Sequence, residues 1–178
     1  PDDREILYSV HPSLHPAINL HPLHAQERAT GVVREVAIDV PGVPMGRPFW
    51  GPNGIAIPFT TTASGSHELW IRLGGVDRLM YGGTEYMDEP PLSWSSDGSR
   101  VAFLTYGYSV HGRILTAWVI DLATSRLFRV AHGLDLPPSR PDPAGMPIVL
   151  LGNSTAFSPD GQSLAYTTNG RIFIAPVV

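Results

Sequence analysis

Phe157-Ser158-Pro159-Asp160-Gly161-Gln162-Ser163-Leu164-Ala165-Tyr166 is the stretch that decides the fold. An aromatic residue and a small one lead into a Pro-Asp-Gly turn, which opens onto a short apolar run. Proline sets φ at about −65° and starts the turn, the Asp side chain bonds the local backbone, and glycine accepts a positive φ. One strand therefore enters the turn and another leaves it, as in a tight β-hairpin.

The unit recurs. Trp50-Gly51 precedes Pro52-Asn53-Gly54, and Trp94-Ser95 precedes Ser96-Asp97-Gly98. An apolar run follows each turn: Ile55 to Phe59, Val101 to Leu104 and Leu164 to Thr167. A second run comes next: Leu69 to Leu73, Ala117 to Leu122 and Ile172 to Ala175. Two units add a fourth strand, around Asp77 to Tyr81 and Arg126 to Ala131. The beginning of the chain fits the same frame, with Pro1-Asp2-Asp3 at the turn, Ile6 to Tyr8 on the next strand and Val36 to Val40 on the one after. β-Branched and aromatic residues fill these runs, as strands require. Pro1, Pro52, Ser96 and Pro159 are separated by 51, 44 and 63 residues. The middle value matches a four-stranded propeller blade of roughly 40–45 residues. The longer spacings hold insertions, at 11–30, rich in His and Pro, and at 133–152, rich in Pro.

The expected fold is therefore all-β, with about four blades of four antiparallel strands over 1–46, 47–90, 91–152 and 153–178. The residues at the repeat turns, Asn53, Gly54, Asp97, Gly98, Asp160 and Gly161, read as structural. The first unit lacks the strand before its turn and the last lacks a fourth strand. Closure removes exposed sheet edges, so these blades are expected to belong to a larger ring, completed by further blades or by another subunit.

Composition narrows the chemistry. Apolar residues make up 43% of the 178, enough for a packed core. A net charge of −4 argues against a nucleic-acid surface. No run reaches the ~18 apolar residues of a membrane helix. The chain has no Cys, which excludes disulfides and thiolate chemistry, and no Lys, which excludes Schiff-base catalysis. The glycine pairs Gly74-Gly75 and Gly82-Gly83 read as turns, since neither opens a helix or precedes a lysine.

The aromatic-Ser-Pro-Asp-Gly unit, followed by an apolar-Ala-aromatic strand and an aromatic-apolar-Asp strand, resembles the TolB-type, WD-repeat-like propeller repeat. Residues 157–166 are the nearest copy and 94–103 almost as near. The second unit departs at Gly51 and Asn53, and the first carries Asp3 where Gly is usual. The resemblance implies a six-bladed ring, a bacterial extracytoplasmic or periplasmic setting, and a non-catalytic module that binds or scaffolds a protein or peptide partner. Such propellers also accompany hydrolases. The second implied reading is thus the substrate-gating propeller of a prolyl-oligopeptidase-like serine peptidase or an amidohydrolase.

No catalytic constellation emerges from the residues. Gly152-Asn153-Ser154-Thr155-Ala156 lacks the last glycine of a nucleophile elbow, and no helical pattern follows it. Asp97 and Asp160 belong to repeat turns, expected to lie far apart around a ring. Glu85, Asp88 and Glu89 fit no calcium loop and read as a solvated connection. Trp50 with Trp94, and Trp70 with Trp118, recur at equivalent places, a packing periodicity.

His11, His15, His21 and His24 are the candidate metal ligands, since neutral imidazole suits divalent zinc, copper or nickel. Three of them precede proline, which disfavours helix. The alternative is a polar, proline-stiffened loop between strands, and no other cofactor is expected. Metal analysis of the purified chain separates the two readings: a stoichiometric divalent ion retained through desalting supports ligation, and a metal-free chain after incubation with zinc ends it.

Overall fold

The structure, a computed structural model, describes residues 4–9, 23–36, 43–44, 49–52, 54–61, 66–87, 92–109, 112–136, 154–168 and 171–177. Every regular element among them is a β-strand, and all the pairings between strands are antiparallel. The chain forms two compact units, Pro1–Thr84 and Glu85–Val178.

The first unit holds two sheets. β1 (Glu5–Ser9), β2 (Leu23–Glu27) and β3 (Val33–Val36) form one meander in that order. In the second sheet, β6 (Gly54–Thr61) lies between β7 (Ser66–Leu73) on one side and both β4 (Val43–Pro44) and β5 (Phe49–Gly51) on the other, and β8 (Val76–Gly83) follows β7. Proline lacks a donor N–H and is poorly placed inside a sheet. β6 pairs with β5 through Gly54 to Ala56 and with β4 from Phe59, so Pro58 falls between the two pairings. Gly74 and Gly75 join β7 to β8 with φ of 56° and 83°. Leu73 pairs with Val76 across them, giving the two-residue turn whose positive φ angles match the twist of the strands.

The second unit also holds two sheets. β9 (Ser93–Trp94), β10 (Arg100–Ser109), β11 (Gly112–Asp121) and β12 (Arg126–Leu136) run in sequential order, as do β13 (Thr155–Phe157), β14 (Ser163–Thr168) and β15 (Arg171–Pro176). These two sheets pack face to face. Ala102 and Leu104 from β10, and Leu115, Ala117 and Val119 from β11, meet Leu164 and Tyr166 from β14, all at most 4% exposed. Phe157, Phe173, Ala175 and Val177 complete the layer. Alternate residues of β10 serve the opposite face, where Val101, Phe103 and Thr105 are equally buried.

Three sequence expectations change. The first strand after Ile6–Tyr8 is β2, within the His-rich 11–30 stretch, and the next, β3, ends at Val36; Ala37 to Val40 lie outside the described residues. The physical reason is that no proline occurs between Pro22 and Pro41, so each backbone N–H there is free to join a ladder. Gly82 and Gly83 are not a turn but the end of β8, opposite Glu68 and His67. A Cβ on Gly83 would come within 2.5 Å of the Tyr81 hydroxyl, so the ring takes the space a side chain needs. The fourth strand of the third unit, expected to end at Ala131, continues as β12 to Leu136 and takes up the start of the 133–152 stretch.

Leu164 is fully buried where the two sheets of the second unit meet. Leu164→Ala is expected to lower stability by about 2–5 kcal/mol, since lost transfer energy and a residual cavity add. Urea unfolding measures this, and a loss below about 1 kcal/mol would contradict the packing described.

Candidate functional site

The two repeat turns of the second unit share one plan, with an added hydroxyl bond from Ser99 to Asp97 in the first. The Ser95 hydroxyl donates to Asp97 Oδ1 at 2.6 Å, and that of Ser158 to Asp160 Oδ1 at 2.5 Å. Each serine Oγ in turn accepts a backbone N–H, from Arg100 and from Ser163, both at 2.9 Å. Each aspartate accepts a backbone N–H two residues on, from Ser99 and from Gln162, both at 3.0 Å. Gly98 and Gly161 both adopt φ of 69°, which only glycine holds without strain. Ser96 stands where the other turn has Pro159, so proline is dispensable to this geometry. The serine before the turn reads in the sequence as merely small, yet its hydroxyl organises the loop. Asn53 lies outside the described residues, and Gly54 opens β6.

The turns also touch one another. Ser96 Oγ donates to the Pro159 carbonyl at 2.8 Å, and Arg100 Nη1 to the Gly161 carbonyl at 3.3 Å. A polar cleft of about 180 Å³ lies between them, lined by Ser95, Asp97, Ser99, Arg100 and Asp160, with Gly161 and Gln162. Asp97 and Asp160 are therefore not far apart, because they sit on neighbouring sheets whose turns are strapped together. They still form no catalytic carboxylate pair in the acid–base sense. That chemistry needs one carboxyl raised so that it can carry a proton, whereas the hydrogen bonds lower both.

Other candidate groups are likewise engaged. Ser154 Oγ shares a hydrogen bond of 2.8 Å with Thr167 Oγ1, and Ser154 precedes a strand rather than a helix. Glu85 accepts the hydroxyl proton of Thr105, and Thr105 Oγ1 accepts the indole N–H of Trp118 at 2.8 Å. Asp88 and Glu89 lie outside the described residues. Trp70 donates to Glu68 Oε2 at 2.9 Å, while the buried indole nitrogen of Trp94 has no hydrogen-bond partner among the described residues. The side chain of Trp50 is outside the description. Asp121 accepts both the backbone N–H and the hydroxyl of Thr124, which closes the turn before β12.

His24, alone among the four candidate ligands, is described. It sits on β2 opposite Tyr8, and the two rings stack with centroids 5.6 Å apart. His11, His15 and His21 lie outside the described residues. Among the described residues no three His, Asp or Glu side chains come together as a metal-binding group.

Asp97 offers a direct check on the turn chemistry. The hydrogen bonds from Ser95 and Ser99 hold its carboxyl at about 2, against an ordinary 3.8. Asp160 is lowered too, by Ser158 and Gln162, but no hydroxyl equivalent to that of Ser99 reaches it. A depressed carboxyl stabilises the fold at pH values above its unfolded pKa, and the contribution is lost as pH falls through the folded value. Carbon-detected NMR titration is expected to place Asp97 below Asp160. Ser99→Ala is expected to move Asp97 upward toward Asp160, and an unmoved Asp97 would contradict the assigned cause.

No protein-family model matches the sequence, and no curated protein matches it. Solved structures do. The chain is similar to an oligogalacturonate lyase in complex with manganese, with a TM-score of 0.68 and 16% identity over 99% of this chain and 46% of the lyase. It is similar to the β-propeller domain of the Trilobed protease from Pyrococcus furiosus, with a TM-score of 0.60 and 11% identity over 98% of this chain and 52% of that one. It is also similar to TolB from Acinetobacter baumannii, with a TM-score of 0.52 and 16% identity over 97% of this chain and 53% of that one. The chain spans about half the length of these three proteins. Identities this low carry the fold alone, and the fold of this chain is that of part of a β-propeller.

Proposed function

We propose that the chain is a binding or scaffolding segment of a β-propeller, for a protein or peptide partner. The observation that supports this reading is the state of the polar side chains. Asp97, Asp160, Asp121, Ser95, Ser154 and Ser158 each use their hydrogen-bonding capacity within the scaffold. Groups so engaged rigidify a framework. Rigid sheets then present connecting loops, which is where recognition concentrates. On this reading the stretches 11–30 and 133–152 carry specificity, and the remaining blades of a ring come from further chain or another subunit. The likeness to TolB and the repeat motif support an extracytoplasmic setting.

A second reading has its own support in the likeness to the propeller of a protease. In it the chain gates access to a catalytic domain supplied elsewhere. The experiment is a titration of a displayed peptide library against the purified chain, paired with a turnover assay on peptide p-nitroanilides. Saturable binding is expected, with weakening by at least about tenfold when 137–152 is replaced by a Gly-Ser linker, and no turnover above blank. Absent binding, or binding indifferent to that replacement, would count against the first reading. Turnover by the chain alone would overturn both.

A further inference from the structure

The chain contains two Asp-Gly dipeptides, Asp97-Gly98 and Asp160-Gly161, and both lie in repeat turns. This dipeptide has a chemistry of its own. Glycine has no Cβ to shield its backbone nitrogen, so that nitrogen can attack the carboxyl carbon of the preceding aspartate. The amide gives up its proton, the protonated carboxyl gives up its hydroxyl, and one water leaves as a five-membered succinimide closes. Water then adds to either ring carbonyl. One opening regenerates aspartate. The other yields isoaspartate, in which the main chain runs through the former side chain. Water is the only reagent, and the mass of the chain is unchanged.

The two turns are alike in plan, so their differences decide where this reaction occurs. Asp97 is pinned at both oxygens. The Ser95 hydroxyl and the Ser99 N–H donate to Oδ1, and the Ser99 hydroxyl lies 2.9 Å from Oδ1 and 2.8 Å from Oδ2. These bonds hold the carboxyl at about 2, so little of it is in the protonated form that loses water. Asp160 is pinned at one side only. The Ser158 hydroxyl and the Gln162 N–H both reach Oδ1, and no hydroxyl among the described residues reaches Oδ2. Gln162 stands in the place of Ser99 and brings no such group.

The attacking nitrogens differ as well. Each glycine N–H donates to the carbonyl of the serine before its turn, at 2.9 Å in both cases. Gly98 and Ser95 are buried, whereas Gly161 and Ser158 are half-buried. Nothing lies within 4 Å of the place that a Cβ on Gly161 would occupy. Water, which takes the amide proton and later opens the ring, therefore has readier access to the second turn.

We propose that Asp160-Gly161 is a modification site of the folded chain, where aspartate converts through a succinimide to isoaspartate, and that the Ser99 hydroxyl protects the equivalent Asp97-Gly98. The product adds a backbone atom to the turn and takes the carboxylate away from Ser158 and Gln162. It does so beside Pro159 and Gly161, whose carbonyls hold this turn against Ser96 and Arg100 of the neighbouring sheet. The inference does not rest on the partner proposed above.

The test is timed incubation of the purified folded chain in mildly acidic buffer, with isoaspartate located by peptide mapping and electron-transfer fragmentation. Deamidation at Asn53-Gly54 or Asn169-Gly170 changes the mass and is thereby told apart. Isoaspartate is expected at residue 160 about threefold to tenfold faster than at residue 97, the span that one hydrogen bond supports. In urea, with the turns undone, the two rates should converge. Gln162→Ser is expected to slow conversion at Asp160, and Ser99→Ala to speed it at Asp97, each checked for folding by circular dichroism. Equal rates in the folded chain, a faster Asp97, or a folded chain that converts at neither site while the unfolded one converts at both would overturn the proposal. So would folded variants that leave both rates where they were.

Discussion

An antiparallel sheet with apolar residues on both faces cannot stand alone in water, because covering one face still leaves the other exposed. That constraint organises the second unit. Ala102 and Leu104 point to one side of β10, Val101 and Phe103 to the other, and all four are at most 1% exposed. Only stacking sheets in series satisfies both sides of every sheet. Burying a leucine-sized side chain is worth roughly 1.5–3 kcal/mol, so a layer with Leu104, Leu115, Leu164 and Tyr166 at its centre holds the two sheets together. The Asp turns contribute far less to that attraction. Their role is placement: the Ser96–Pro159 and Arg100–Gly161 bonds fix one sheet's turn against the next.

The fold was legible because the repeat advertises itself in residues with distinct jobs. Asp-Gly marks the turn, the aromatic before it marks the entering strand, and the ring residues Trp70, Trp118 and Phe173 mark the third strand at a fixed register. The serine at 95 and 158 was harder to see. Smallness and hydroxyl chemistry look the same in one letter, and only the bonds to Asp97 and Arg100 distinguish them. β2 was missed for another reason. Leu23-His24-Ala25-Gln26-Glu27 has little β-propensity of its own, and its strand character comes from its partners on both sides.

The candidate chemistry was less legible, and the cause is physical. Carboxylates and hydroxyls look reactive in a sequence because their partners are invisible there. Once folded, Asp97 accepts three donors and its proton affinity falls, the reverse of what a general acid needs. Gly82-Gly83 shows the same limit for the backbone. Two glycines usually signal a turn, but here the second makes room for the Tyr81 ring.

A scaffold whose faces are consumed by neighbouring sheets has few places left for recognition. Strand interiors are buried, and the repeat turns are locked by their own side chains. The remaining freedom lies in connections between strands and in exposed sheet faces. Ile172 and Ile174 belong to the second class, and a large apolar residue at 72% or 75% exposure is unusual in a chain that buries Ala25, Ile71 and Val119 completely. Exposed patches of this kind mark interaction surfaces.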